Sequence, residues 1–299
     1  MTTRKRRLPP GWYPEDPGEI HDFLVSALPG GTLAARGIAT QGPAHGTAHG
    51  TAHGTAHGTA AAAIAAIAPH AGWAFSGAFA AKAIASLRAC DTVAVIGGHL
   101  PSRASPLAAQ EDGFETPLGR LEADRELLEA LAAEIELKPD TSVDNTVEVQ
   151  LPLIAAAKPG ARILWLRAPN GPASIALGEA LARAASKIER NLACLGSTDL
   201  THYGPSYGFL PAGRGPAAET WVRSVNDARF IEALLARDPD EVLSRGESEG
   251  SACSSGAAAA AIAFSRAQGS TTARLLGYAT SLDLRRDESF VGYAAVAYS

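Results

Sequence analysis

Two short apolar runs on either side of an Ala-rich segment constrain this chain more than any other feature. Ala63-Ile64-Ala65-Ala66-Ile67-Ala68 and Thr92-Val93-Ala94-Val95-Ile96 are continuous and apolar, the pattern of strands covered by helices on both faces. The spacing between them predicts a helix from about Ser76 to Leu87. Strand, helix and strand make a βαβ unit, so the two strands are expected to be parallel and side by side. The first run leads into Pro69-His70-Ala71-Gly72-Trp73, and the second ends in Gly97-Gly98-His99. Two imidazoles are thereby placed at the carboxyl ends of neighbouring strands, where open α/β sheets bind ligands.

The alternation continues along the chain. Helices are expected over Glu19 to Leu28 (stopped by Pro29-Gly30-Gly31), Asp124 to Ile135, Pro172 to Ala185, Ala217 to Ala236 and Pro239 to Ser244, with a small-residue helix ending near Arg266. Another helix opens at Asp144-Asn145-Thr146-Val147-Glu148, with Asp144 or Asn145 as N-cap. Pro152 fits it only at a kink or in a first turn. Strands are expected at Ile163 to Leu166, Leu192 to Gly196, Arg274 to Ala279 and Phe290 to Val296, the last two antiparallel. Phe114 to Gly119 reads as a turn. The order implies an α/β fold: three layers, α/β/α, around a mixed, largely parallel central sheet, in a single domain over 1–299.

Composition excludes more than it assigns. A net charge of -5 provides no overall basic field for nucleic acid. The chain lacks an uninterrupted run of about 20 apolar residues, so no membrane span is expected. Arg4-Lys5-Arg6-Arg7 is followed by Leu8-Pro9-Pro10-Gly11 rather than by an apolar stretch, which argues against a secretory or twin-arginine signal. The three cysteines, Cys90, Cys194 and Cys253, are far apart and odd in number, as expected of a cytoplasmic protein in a reducing compartment. Between about 42 and 60 the tetrapeptide Ala-His-Gly-Thr recurs, placing His45, His49, His53 and His57 at a period of four. Repeated imidazoles invite metal ions. The Gly in each repeat costs a helix about 1 kcal/mol relative to Ala, so the tract reads as a low-complexity insertion in a surface loop, with adventitious metal affinity at most.

Candidate chemistry gathers at the strand ends. Leu192-Ala193-Cys194-Leu195-Gly196 runs out into Ser197-Thr198-Asp199-Leu200-Thr201-His202-Tyr203-Gly204, so His70, His99, Asp199 and His202 are expected on one rim. Cys253 follows Gly250-Ser251 at the mouth of a helix, where the dipole favours a thiolate. Cys90 and Cys194 sit among apolar residues as inert thiols. Two imidazoles with one anionic ligand describe a non-haem iron site or a related copper or zinc site. Asp199 and His202, three residues apart, are placed to act as a proton-transfer pair or simply to tie down the turn. Trp12 and Tyr13, bracketed by prolines, read as an aromatic plug.

The ordered motifs Gly11-Trp12-Tyr13-Pro14, Pro69-His70-Ala71-Gly72-Trp73, Gly97-Gly98-His99, Thr116-Pro117-Leu118-Gly119, Glu148 with Leu151-Pro152, Ser197 to Gly204, and Cys253 span nearly the whole chain. In this order they resemble the Memo-like family, also called AmmeMemoRadiSam system protein B. The resemblance implies a fold similar to the class III extradiol dioxygenases of the LigB type (LigB/phosphorylase-like). It further implies a mononuclear iron or copper ion held by His70, His99 and Cys253, with His202 as acid–base and Asp199 beside it. Trp12, Tyr13, Asn145 and Glu148 match pocket-lining positions. The sequence departs from the family pattern in three places. Asp144-Asn145-Thr146 stands where Glu-His-Ser is usual, Gly-Pro-Ser-His is shortened to Gly97-Gly98-His99, and Thr-x-Cys-Gly is Ser251-Ala252-Cys253-Ser254. Three functions remain open: a metal-dependent oxidoreductase acting on a small molecule, a non-catalytic scaffold for a peptide or a radical-SAM partner protein, and a Cys253–His–Asp199 hydrolase.

Overall fold

A computed structural model describes residues 1–28 and 62–299. The Ala-His-Gly-Thr tract and the Pro29-Gly30-Gly31 stop lie outside them. In chain order the elements are α1 (Pro17–Ala27), β1 (Ala65–Ala68), α2 (Trp73–Ser86), β2 (Thr92–Leu100), β3 (Leu107–Ala108), β4 (Gly113–Thr116), β5 (Gly119–Glu122), α3 (Arg125–Ala132), β6 (Lys138–Pro139), α4 (Asn145–Glu148) and α5 (Leu151–Ala157). There follow β7 (Arg162–Pro169), α6 (Ala173–Lys187), β8 (Leu192–Ser197), β9 (His202–Tyr203), α7 (Pro216–Trp221), a π-turn (Val222–Asn226), α8 (Asp227–Ala236), α9 (Pro239–Ser248), α10 (Ser255–Ala267), β10 (Ala273–Thr280) and β11 (Phe290–Tyr298).

The main sheet runs β10-β11-β1-β8-β2-β7-β3-β6, with β9 paired to β11. Strands β1, β8, β2 and β7 are mutually parallel, while β11 is antiparallel to β1 and to β10. This is the expected three-layer α/β/α arrangement around a mixed, largely parallel sheet. One sequence expectation needs correcting: β1 and β2 are not side by side. Strand β8 lies between them, pairing with β1 through Ile67↔Gly196 and with β2 through Ile96↔Gly196. The βαβ crossover skips one position, and a strand almost 100 residues later fills it. Periodicity within one unit carries no information about such an insertion.

Alternation along the strands divides the core. Ala65 and Ile67, Ala94 and Ile96, Leu164 and Leu166 face one helical layer, that of α3, α6, α8, α9 and α10. Ala66 and Ala68, Val93 and Val95, Ile163 and Trp165 face the other, made by α1, α2 and α5. Each large aliphatic side chain buried in this way contributes about 1.5–3 kcal/mol. Helix α10 is buried along most of its length because its Ala-rich face admits close neighbours. A Cβ at Gly178 of α6 would collide with the Ala260 carbonyl oxygen.

Local chemistry explains the remaining departures. The Asp144 helix is split in two: the Asp144 carboxylate caps α4 by accepting from Thr146 N–H, and Pro152 sits in the first turn of α5, where its missing N–H costs nothing. Phe114 to Gly119 is more than a turn, since β4 and β5 pair as a hairpin closed at Gly119, φ +108°. The basic run at the N-terminus is built into the fold. Arg4 N–H donates to Gly113 O and Arg4 O accepts from Glu115 N–H, while Arg4 pairs with Glu111, Lys5 with Glu115 and Arg6 with Glu15. Among the described residues no helix is long and apolar enough to cross a membrane.

Candidate metal centre

Three strand ends in a row build the site. β1 ends in Pro69-His70, β8 runs into Thr198-Asp199, and β2 reaches Gly98-His99. Neighbouring strands lie about 4.8 Å apart, so a strand separates the two histidine-bearing ends. Their rings nevertheless meet edge to face, with centroids 5.0 Å apart. The cause lies in β2. Its register against β7 shifts between Gly97 and Leu100, and His99 adopts φ +58°. A bulge with a left-handed residue re-aims a side chain, and here it turns the imidazole towards His70.

Cys253 arrives from the opposite direction, in the loop that opens α10. Its N–H donates to Asp199 O, the neighbouring Ser254 N–H to Thr198 Oγ1, and Asn170 Nδ2 to Cys253 O. Cys253 Sγ lies 3.2 Å from His70 Nε2. One ligand atom each from His70, His99 and Cys253 falls within 4.8 Å of the others. His70 is fully buried, whereas His99 is exposed towards solvent. Two imidazoles and a thiolate are a donor set suited to iron, copper or zinc, and the cluster could hold one such ion.

Partners behind the ligands orient them. His99 Nδ1 lies 3.1 Å from Asp144 Oδ2. A carboxylate only accepts, so Nδ1 carries a proton, and Nε2 is the nitrogen that would bind a metal on giving up its own proton. Arg167 holds Asp144 in turn, at 3.1 Å, and donates from Nε to Gly98 O. His70 Nδ1 lies 3.2 Å from Ser197 Oγ, which also receives Gln150 Nε2 at 3.1 Å. Asn145 Nδ2 donates to His70 O at 3.0 Å.

The charges are strongly coupled. Burial pulls His99 down, but the Asp144 hydrogen bond and the Cys253 thiolate outweigh it and raise its pKa to about 10. Burial opposes ionisation of Asp144, yet His99, Thr146 and Arg167 bring it down to about 2. For Cys253 the burial penalty is overcome by His70 and His99, which hold the thiol well below its ordinary value. His70 and His202 are both raised against the pull of burial, by Cys253 and Asp199. Cys194 is pushed up by burial alone and Cys90 mainly so, as inert thiols would be.

Asp199 Oδ1 accepts the His70 N–H at 2.7 Å, and its Oδ2 lies 3.7 Å from His202 Nε2. That separation is an ion-pair contact rather than a hydrogen bond, and His202 Nε2 has no hydrogen-bond partner among the described residues. Above this group opens a cavity of about 440 Å³, walled by Trp12, Phe75, Asn145, Tyr207 and Tyr293, with Arg285 at its rim. Tyr13 and Glu148 do not line it. The Tyr13 ring packs near Trp73 and its hydroxyl donates to Glu148 Oε1, which also accepts from Leu8 N–H. Glu148 faces a separate cavity of about 260 Å³ together with Arg4, Arg7 and Asp144.

The sequence model of the family described as "Memo-like protein" matches residues 7–297. The chain belongs to the Memo-like family. A MEMO1 family protein of Pyrococcus abyssi is 33% identical over 252 residues, covering 78% of this chain and 85% of that protein. Those of Thermococcus onnurineus and Methanosarcina barkeri are 31% and 32% identical over 252 and 240 residues, each covering 78% of this chain and 86% and 85% of those proteins. Among solved structures, an uncharacterized protein of Escherichia coli K12 aligns with a TM-score of 0.46 at 14% identity, over 78% of this chain and 98% of that one.

Asn145 gives its amide to the His70 carbonyl and offers no titratable group to the cavity. The sequence marks Asp144 as a helix cap and places Ser197 in a motif at a strand end, but gives neither a histidine partner, and it gives no sign of Arg167 or Gln150. No spacing signal connects these residues to the histidines, because each contact joins elements far apart in the chain.

Proposed function

We propose that this protein binds a single iron or copper ion through His70, His99 and Cys253 and uses it for oxidoreductase chemistry of the dioxygenase-like kind on a small molecule. The observation that carries the reading is the approach of three ligand atoms to within 4.8 Å, with His70 and His99 lining an open cavity. When bound, such an ion would supply Lewis acidity and one-electron exchange. The chain supplies the rest. Trp12, Phe75 and Tyr207 offer aromatic walls that exclude water and orient a substrate. His202, unpartnered at Nε2, takes or returns a proton there, and Asp199 holds that imidazole facing the ligands while fixing His70 through its backbone N–H.

The alternatives differ in what supports them. A hydrolase needs oxyanion donors beside the thiolate, and the N–H groups of Cys253, Ser254 and Gly256 are already given to Asp199 O, Thr198 Oγ1 and Asn170 Oδ1. A non-catalytic scaffold that captures a peptide, or a radical-SAM partner protein, is favoured by Asn145, which takes a proton-carrying side chain out of the pocket.

Metal analysis of anaerobically purified protein tests the reading. It is run with and without residues 42–60, so that the imidazoles of that tract do not contribute. One equivalent of iron or copper retained without the tract, and lost in His70→Ala/Cys253→Ala, is the expected result. Equal retention in the double variant sinks it. Oxygen uptake with added metal and catechols then separates turnover from capture.

A further inference from the structure

The π-turn at Val222–Asn226 has no part in the centre described above, yet it touches both polar segments that form it. A π-turn adds one residue to a helical turn, and such turns gather at functional sites. Here it ends in Asn226, buried against two loops, with Asp227 beginning α8 behind it. Asn226 Nδ2 donates to Thr201 Oγ1 at 2.9 Å and to Glu249 O at 3.3 Å, and its Oδ1 accepts from Ser251 Oγ at 3.2 Å. Both amide donors and the carbonyl are used. Because Glu249 O can only accept, the amide cannot be turned over without losing the set.

Thr201 stands between Asp199 and His202, and Ser251 stands two residues before Cys253. One side chain therefore joins the proton-transfer segment to the thiolate segment from the side away from the cavity. Asp227 completes the anchor: Oδ1 accepts Thr201 N–H at 3.2 Å and Thr201 Oγ1 at 2.5 Å, and Oδ2 accepts the Tyr278 hydroxyl at 2.8 Å. Gly292 makes room for that carboxylate, since a Cβ there would collide with Oδ2. The Thr201 hydroxyl thus donates to Asp227 and accepts from Asn226, which fixes its rotamer. Fully satisfied buried networks of this kind rigidify what they connect.

We infer that Asn226 is a positioning residue of the metal centre, holding the Ser251–Cys253 segment and the Thr201–His202 segment at one separation. This rests on the metal reading above. Without the amide, both loops keep Cys253 N–H to Asp199 O and Ser254 N–H to Thr198 Oγ1, but lose the second tie that fixes the separation of Thr201 from Ser251.

The test loads full-length protein anaerobically with Co(II) and follows the thiolate-to-cobalt charge-transfer band together with affinity. Asn226→Ala is expected to bind about 10- to 100-fold more weakly, the range for lost outer partners of metal ligands, with a displaced band. Ser251→Ala, which removes one arm, is expected to show a smaller change. The double variant should be no weaker than Asn226→Ala alone, because the groups act as a unit. Leu234→Ala, a core truncation in α8, should lower the unfolding temperature and leave the band in place. Wild-type protein that takes up cobalt while Asn226→Ala keeps both band and affinity overturns the clamp alone. A band shift equally produced by Leu234→Ala also overturns it, by making the effect one of general stability. Wild-type protein that develops no thiolate-to-cobalt band overturns the metal reading and this inference with it.

Discussion

Asp144 Oδ2 lies 3.1 Å from His99 Nδ1, while Oδ1 of the same carboxylate accepts Thr146 N–H at 2.9 Å and caps α4. One side chain thereby ends a helix and orients a candidate metal ligand. Asn caps a helix about as well as Asp but replaces the ion pair to His99 with a neutral contact. Asp144→Asn is expected to weaken metal binding about 10- to 100-fold and also to lower the unfolding temperature, because the buried Arg167 loses the same charged partner. Competition against a chromophoric chelator measures the first quantity and a thermal melt the second.

Asp227 provides a pH signature separate from the metal cluster. Burial raises its pKa to about 6 against the pull of hydrogen bonds from Thr201 and Tyr278. From the unfolded value near 4 up to about 6, the folded protein holds a proton that the unfolded chain has released. Stability therefore falls as pH rises through that window and levels off above it. The contribution amounts to roughly 3 kcal/mol at most. Denaturant titrations from pH 4 to 7 should show this slope in the wild type and lose it in Asp227→Asn. Parallel curves for the two proteins would refute it.

Gly256 starts α10 directly beneath the Cys253 loop, and an added Cβ would collide with the Pro169 carbonyl oxygen. Backbone cannot yield as a flexible side chain does. Gly256→Ala is expected to cost about 3 kcal/mol, the upper end of ordinary overpacking, and to weaken cobalt binding along with it. Urea denaturation checks the first effect. Gly160→Ala, with nothing within reach of its Cβ but φ +84°, serves as the comparison for backbone strain without a clash.

Arg4 ties the N-terminus to the body of the protein. Its guanidinium lies over the Trp165 ring at 4.5 Å and pairs with Glu111 at 3.1 Å and with the buried Asp140 at 3.7 Å. Removing one member of a buried pair typically costs about 3–5 kcal/mol. Asp140 keeps Arg167 at 3.5 Å and Trp165 Nε1 at 2.9 Å, so Arg4→Ala should fall near the lower end, about 3 kcal/mol. Faster proteolysis near residues 1–8 should accompany the loss, because those residues also seal Glu148.

Much of this protein is legible in its residues. Continuous apolar runs at Ala63–Ala68, Thr92–Ile96 and Leu192–Gly196 mark covered strands, because alternate side chains must satisfy two helical layers at once. The same runs locate the strand ends, and with them His70, His99 and Asp199. Local pattern also identifies the Asp144 cap and the small-residue helix after Cys253. Tertiary structure decided what is non-local. It placed β8 between β1 and β2, turned His99 towards His70 through a bulge at positive φ, and drew Tyr13 and Glu148 behind the cavity instead of onto its wall. It also recruited Asp144, Arg167 and Asn226 to hold the cluster through contacts that span 23 to 45 residues of sequence. Periodicity reports which face of an element is buried. Which element covers that face, and which polar groups must then be paired there, is settled only when the whole chain competes for the same space.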